Sequence, residues 1–259
     1  MKTLGLQLYT IRDFLKDEDF MDLSLKKIHD MGITEAQTAG IPPMGWEKFA
    51  DLCKKNDIQI VGTHYSWEAI CNRFEETVAV HRMLGTTNIG IGGMVPWGTT
   101  DPTVVKEFIR NFNELARRYA AEGFKLTYHN HNFEFVRVDG TKTIMDLLYE
   151  NLDPENTSFV LDTCWVAAGC GDVREWIEKL AGRIDILHLK DVQLIRDAGK
   201  FCGTMTEIGN GTIAWDPVIE AAEKAGVKHF VIEQDARFID GDPFKSLKVS
   251  TDFLKKYIH

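Results

Sequence analysis

The sequence predicts an α/β protein built as a single (β/α)8 TIM barrel over residues 1–259, and three observations carry that expectation. Apolar runs of four to seven residues, several rich in β-branched side chains, recur eight times along the chain. Longer amphipathic stretches separate them. Dividing 259 residues among eight such pairs gives about 32 per unit, close to the ~250 residues of a closed barrel. The expected strands are Leu4 to Tyr9, Thr34 to Gln37, Ile58 to His64, Asn88 to Gly92, Phe124 to His129, Ser158 to Asp162, Ile184 to Leu189 and His229 to Glu233. Helices are expected near 19–31, 46–56, 68–84, 102–122, 142–150, 173–181, 215–225 and 243–257.

The punctuation agrees with the periodicity. Asp101-Pro102, Asp216-Pro217 and Asp242-Pro243 each put an N-cap acceptor before a proline at the first helical position. Gly32, Gly123, Gly182 and Gly226 each follow a helix as left-handed C-caps and precede the next strand. An open, doubly wound sheet would need a phosphate turn of the G-x-G-x-x-G kind after its first strand, where Tyr9-Thr10-Ile11-Arg12 stands instead. No linker or low-complexity segment divides the chain.

Composition narrows the function. Thirty Lys plus Arg against 39 Asp plus Glu give a net charge of −9, and the pI is near 5.4, which disfavours a protein whose main task is neutralising phosphate backbones. No run approaches the roughly 20 apolar residues of a membrane helix. Met1 to Ile11 is briefly apolar but lacks a small-residue cleavage site and turns charged at Arg12-Asp13, so it reads as a strand and not a signal peptide. Five cysteines, an odd number with no C-x-x-C pair, fit reduced thiols in a cytoplasmic protein. No nucleic-acid or membrane partner is expected; a homo-oligomer is compatible with all of this.

In such a barrel the chemistry sits where strands end. Strand five runs into Tyr128-His129-Asn130-His131-Asn132-Phe133-Glu134, strand six ends at Asp162-Thr163-Cys164-Trp165, strand seven at His188-Leu189-Lys190-Asp191 and strand eight at Glu233-Gln234-Asp235. Carboxylates and imidazoles converging on one point need protons or a cation among them, and oxygen plus nitrogen ligation without thiolate suits Mn²⁺, Mg²⁺, Co²⁺ or Zn²⁺. The metal set read this way is Glu134, Asp162, His188 and Glu233, with Mn²⁺ as the expected ion. His129 or His131 either replaces Glu134 or acts beside it as general base. Bland roles compete: Asp162 as a helix cap, His188 as a satisfied core histidine, Lys190 as a rim partner of Asp191. Trp67, Trp97 and Trp165 fall at or past strand ends, where they stack on a sugar or plug the barrel mouth. Gly209-Asn210-Gly211 either brings backbone amides to a ligand or forms a turn.

Through Tyr128-His129-Asn130-His131, Phe133-Glu134-Phe135, Asp162-Thr163-Cys164-Trp165, His188-Leu189-Lys190-Asp191 and Gly209-Asn210-Gly211 before Trp215, the chain resembles the xylose isomerase-like TIM-barrel superfamily. That superfamily includes sugar isomerases and epimerases, inosose dehydratase and endonuclease IV. The resemblance implies a divalent metal at the ends of strands five to eight, chelated by a hydroxy-ketone. Asp162, His188 and Glu233 match the pattern; many members bear a glutamate inside strand five, where this chain has Tyr128 or His129. The His-Asn-His arrangement is similar to that of inosose dehydratase-like proteins and enzymes of 3-keto sugars. The implied function is a sugar isomerase or epimerase acting on a keto-sugar or keto-glycoside through a metal-bound enediolate. Glu233, His129 or His131 would be the base, Lys190 would bind or protonate a substrate oxygen, and His64 would contact the sugar.

A lyase that dehydrates or β-eliminates the same intermediate is the second reading. An endonuclease IV-like nuclease ranks low, because Leu8, Gln37 and Gly90-Ile91-Gly92 supply none of the further ligands it needs. A non-catalytic sugar-binding barrel is the last alternative. No Arg-rich phosphate site stands out, which favours unphosphorylated substrates.

Overall fold

A computed structural model describes residues 3–40 and 42–258; Met1 and Lys2, on which the N-terminal reading partly rests, lie outside these, as do Ile41 and His259. Eight strands form the frame: β1 (Leu4–Gln7), β2 (Ile33–Ala39), β3 (Gln59–His64), β4 (Asn88–Ile91), β5 (Lys125–His129), β6 (Thr157–Asp162), β7 (Ile184–Leu189) and β8 (His229–Ile232). All pair in parallel, in the order β3-β2-β1-β8-β7-β6-β5-β4. The two outer strands meet where the Tyr65 N–H donates to the Gly90 carbonyl at 2.7 Å, so the sheet is a nearly closed TIM barrel ringed by helices.

Strand alternation separates two cores. Val61, Val160, Ile186 and Val231 point inward and fill the barrel. The outward-facing residues join the helices in one large apolar layer. Glycines make room inside the barrel. A Cβ on Gly62 would lie 2.7 Å from Ile186 Cδ1, and one on Gly90 would lie 2.2 Å from the Thr63 carbonyl oxygen and 2.8 Å from Thr127 Oγ1.

The elements depart from the sequence reading mainly at the rim. The first strand stops at Gln7, whose side chain accepts the Tyr9 N–H at 3.3 Å and turns the chain into a 3-10 helix over Leu8–Phe14. The helix expected over 68–84 is broken at Arg73 into Trp67–Asn72 and Phe74–Leu84. Asp101 and Asp242 cap their helices as expected, whereas the helix at Asp216-Pro217 begins at Trp215, with Ala214 at the cap position. The long segment after β7 forms an antiparallel hairpin, Asp191–Asp197 with Lys200–Thr206, turning on Ala198 and Gly199, both at positive φ.

No helix among the described residues is long and apolar enough to cross a membrane, and the five cysteines are free. Because Gly90 touches backbone on one side, Gly90→Ala is expected to lower unfolding stability by about 2–3 kcal/mol in chemical denaturation. A loss below about 0.5 kcal/mol would show that the β3–β4 seam relaxes freely.

Candidate active site

The C-terminal ends of four successive strands deliver four buried donors. His129 closes β5, Asp162 closes β6, His188 sits in register opposite Asp162 on β7, and Glu233 follows β8, its N–H donating to the Leu189 carbonyl at 3.1 Å. One donor atom from each lies within 4.8 Å of the others. The outer nitrogen of each imidazole is already occupied. His188 Nε2 donates to Gln37 Oε1 at 2.5 Å and His129 Nδ1 to the Gly92 carbonyl at 3.3 Å. The remaining nitrogens face the carboxylates: His188 Nδ1 is 3.1 Å from Glu233 Oε2, and His129 Nε2 is 3.6 Å from Asp162 Oδ2. His129 Nε2 and Asp162 Oδ2 are buried without a hydrogen-bond partner. Two imidazoles oriented through their far nitrogens, beside the unpartnered Asp162 Oδ2 and the carboxylate of Glu233, form a donor set that fits a divalent cation. His64, His129 and His188 form a second, overlapping group of potential ligands.

An ammonium shares this space. Lys190 Nζ lies 3.0 Å from Glu233 Oε2, 2.8 Å from Asp235 Oδ2 and 3.5 Å from Asp162 Oδ2, and 4.7 Å from the centroid of the Trp165 ring. Its backbone N–H donates to Thr163 Oγ1 at 3.0 Å, which fixes the turn from β7 to the hairpin. These contacts set the local electrostatics. Burial opposes charge on Lys190, but Glu233 and Asp162 outweigh it and hold its proton tightly. Burial likewise opposes charge on His188, yet Glu233 and Asp162 push it up to about 9. Burial would raise Asp162 and Glu233; Lys190 and His188 instead hold Glu233, and Lys190 with the two histidines Asp162, below the usual carboxylate range. Asp235 is raised, by burial and by the neighbouring Glu233. Burial and the surrounding imidazoles lower His64, and burial with His129 lowers His131 to about 3.

A cavity of about 470 Å³ opens onto this group and is lined, among others, by Tyr9, His64, His129, His131, Trp97, Phe133, Trp165, Lys190, Glu233 and Asp235. Of the predicted contact residues, His64, Trp97, Trp165 and Lys190 reach it. Trp67 does not. It opens the Trp67–Asn72 helix after the Ser66 cap and packs outward on Phe108 and Phe112, with ring centroids 5.2 and 5.9 Å away.

Glu134 is not among the four donors. It lies in a 3-10 turn over Asn132–Phe135 that folds back along the outer face of β5, where its oxygens accept the Tyr128 hydroxyl at 2.6 Å and the His131 N–H at 2.8 Å. His129 takes the strand-five place instead, because period two puts it on the inner face while Tyr128 packs outward against Phe108, Phe112 and Phe159. Asp162 combines both of its readings: Oδ1 caps the next helix at the Trp165 N–H, 2.8 Å away, while Oδ2 faces the donors. His188 likewise keeps both of its readings, being fully buried with each ring nitrogen bonded, to Glu233 and Gln37, while also belonging to the donor group.

Lys190 pairs with Glu233 and Asp235 and not with Asp191, whose carboxylate accepts the N–H groups of Val192, Gly209, Gly211 and Ile213 and the Trp215 indole. The Gly209 and Gly211 amides thus serve Asp191, while the Asn210 N–H donates to the Glu207 carbonyl at 3.0 Å; a Cβ on Gly211 would sit 2.1 Å from Asp191 Oδ1. Sequence reasoning passed over Gln37 and Asp235. Asp235 was within view two residues past Glu233, while Gln37 carries no charge to draw notice.

The family model described as xylose isomerase-like TIM barrel matches residues 25–257. Inosose dehydratase of Geobacillus thermodenitrificans (strain NG80-2) is 28% identical over 161 residues, 57% of this chain and 53% of that protein, so the match spans about half the length of the curated relative. A crystal structure of a sugar phosphate isomerase/epimerase from Parabacteroides distasonis ATCC 8503 superposes with a TM-score of 0.80 at 25% identity, covering 99% of this chain and 98% of that one. The probable 3-DHS dehydratase of Bacillus anthracis shares the fold with a TM-score of 0.71 at 14% identity, covering 98% of each chain.

Burial pushes the Glu134 carboxyl up to about 8 against the pull of its hydrogen bonds from Tyr128 and His131. An unfolded glutamate releases its proton near 4.5, so between that pH and about 8 the folded state holds the extra proton and stability falls as pH rises. Glu134→Gln keeps a neutral group of the same shape. Between pH 5 and 8, wild type is expected to lose stability relative to this variant by up to about 1.4 kcal/mol per pH unit in denaturant titrations. Parallel curves would show that Glu134 is ionised throughout.

Proposed function

The chain belongs to the xylose isomerase-like TIM-barrel family, and within it we propose a divalent-metal-dependent sugar isomerase or epimerase that works by moving a carbon-bound proton. The observation that supports this reading most is the buried group of His129, Asp162, His188 and Glu233, drawn from four adjacent strands with both imidazoles oriented from behind. These four residues would hold the ion. When bound, such an ion polarises a sugar carbonyl and its neighbouring hydroxyl and so acidifies the C–H between them.

The remaining side chains divide the work. Of the candidate bases, Glu233 and His129 belong to the donor group, whereas His131 lines the cavity with a buried, unpartnered Nδ1. His131 Nδ1 takes the proton from the carbon beside the carbonyl, and the C–H electron pair moves onto the carbonyl oxygen. Lys190 Nζ, held by Glu233 and Asp235, donates a hydrogen bond to a substrate oxygen. Returning the proton to the former carbonyl carbon, while the adjacent hydroxyl proton passes to the old carbonyl oxygen, gives an isomer; delivery of a proton to the original carbon by a donor on the opposite face gives an epimer. The aromatic walls exclude water while the carbanion-like charge persists.

The similarity to inosose dehydratase favours a second reading, a lyase. It begins with the same proton abstraction. The β-hydroxyl then leaves as water, taking the proton that His131 has removed, while the carbonyl re-forms and a C=C bond forms between the α and β carbons.

Four outcomes test this. Metal-loaded protein incubated in D₂O with a panel of keto sugars and keto-inositols is expected to wash deuterium into a carbon-bound position by NMR. Net loss of water marks the lyase, and no exchange with any compound sinks both readings. His131→Asn is expected to slow exchange by about a hundredfold or more while metal affinity by calorimetry stays within about twofold; Glu233→Gln is expected to weaken metal binding itself by about 10–100-fold. Lys190→Met strands three carboxylates and is expected to cost the metal-free protein about 3–5 kcal/mol, part of it recovered on adding the ion.

A further inference from the structure

We infer that the aromatic mouth of the cavity is a subsite for a second ring, so that the substrate is a neutral glycoside, a sugar joined to another pyranose or flat ring, and not a phosphorylated single sugar. This rests on the proposed role of the inner donor group and names the substrate that such a site takes. The cavity of about 470 Å³ falls within the size range of pockets that enclose drug-sized ligands. Its two ends differ in character. The inner end holds the metal-binding donors, the outer end is built from Trp97, Phe133 and Trp165, and His131 stands between the two, its ring 4.7 Å from that of His129.

These rings form a connected wall. The His131 ring stacks nearly parallel to Phe133, 5.6 Å between centroids, and lies 4.5 Å from Trp97 and 5.3 Å from Trp165. Trp97 remains 64% exposed although it is packed on both His131 and Phe133, so a large flat face is held rigidly at the entrance. Gly93 permits this, since a Cβ there would lie 2.6 Å from the indole. Flat apolar faces of this kind match the C–H faces of pyranose rings and the faces of aryl groups.

Polar atoms of the same cavity lack partners. Besides the His131 Nδ1 assigned to the proton, Trp165 Nε1 and Asp235 Oδ1 are buried without hydrogen bonds, and both residues line the cavity. Buried polar atoms in that state are costly unless something completes them. Ring hydroxyls, each both donor and acceptor, would do so for nitrogen and oxygen alike.

Charge argues against phosphate. Phosphate sites use arginine forks, free lysines or runs of backbone N–H groups. The ammonium in the lining, Lys190, is closed in by Glu233 and Asp235 at 3.0 and 2.8 Å. Arg12 is close to the mouth but stands behind Tyr9, 4.2 Å from its ring centroid, and donates to the carbonyls of Tyr9 and Asp235 at 2.9 and 3.0 Å. With a divalent ion in place, Asp162, Glu233 and Asp235 are balanced by that ion and Lys190, leaving no net attraction for a dianion.

Calorimetric titration of the Mn²⁺-loaded protein with unreactive probes tests the subsite apart from the chemistry. Phenyl β-glucoside or cellobiose is expected to bind at least about tenfold more tightly than glucose, and glucose 6-phosphate no more tightly than glucose. Trp97→Ala should lower the glycoside-to-glucose affinity ratio about tenfold, and Trp97→Phe should restore most of it. Stronger binding of cellobiose identifies a second sugar as the occupant, and stronger binding of the phenyl glucoside an aryl group. Tighter binding of glucose 6-phosphate than of either glycoside, or a ratio unchanged by Trp97→Ala, overturns the inference. If the ratio behaves as expected while no keto sugar exchanges deuterium, the subsite stands and the proposed chemistry fails.

Discussion

A buried ammonium among three carboxylates governs the mouth of this barrel. Asp162 and Glu233 are almost wholly inaccessible, Asp235 is mostly so, and Lys190 lies within 3.5 Å of an oxygen on each. Burying any one of these groups alone would cost several kcal/mol, and together they are tolerable only because the geometry is held closely. The surrounding polar residues hold it. Thr163 pins the Lys190 backbone, Asn130 accepts the Asp162 N–H, and Gln37 fixes the His188 ring. A site organised around mutual charge neutralisation keeps a cation among its carboxylates and leaves none of the three without a positive partner.

Rigidity at the rim comes from backbone donors as much as from side chains. Asp191 gathers four backbone N–H groups and an indole N–H, tying the base of the 191–206 hairpin to the glycine loop and to the helix at Trp215. Gly211 is required there because no other residue lets the loop approach the carboxylate. The hairpin therefore rises from a fixed point one residue beyond Lys190. Asp162 shows the same economy, capping a helix with one oxygen and offering the other to the donor group.

How much of this was legible in the chain varies with the kind of interaction. Barrel strands were readable because each is an apolar run fixed by period two, and β6 and β7 were placed almost to the residue. Rim turns were not: Leu8 and Tyr9 continue the apolar run of β1, yet Gln7 turns them into a 3-10 helix, and nothing local to Arg73 announces the break between two helices. Asp162, His188 and Glu233 were legible as strand-end residues, whereas Glu134 was preferred to His129 by charge type alone. The side on which a residue lies decides that choice, and the turn at Asn132–Phe135 carries Glu134 to the outside, against Tyr128.

By itself, then, the sequence determined the alternation of strands and helices, the family likeness and which strand ends carry carboxylates and imidazoles, because those features follow from periodicity and residue type along the chain. Only the tertiary structure decided the partners: His129 in the donor group, Lys190 with Asp235 and not Asp191, Trp67 facing the helices while Trp97 and Trp165 face the cavity. Those pairings depend on the rotation of each residue about its strand or turn and on groups 43 to 151 residues apart, as in Lys190–Glu233 and His188–Gln37, and no local pattern encodes them.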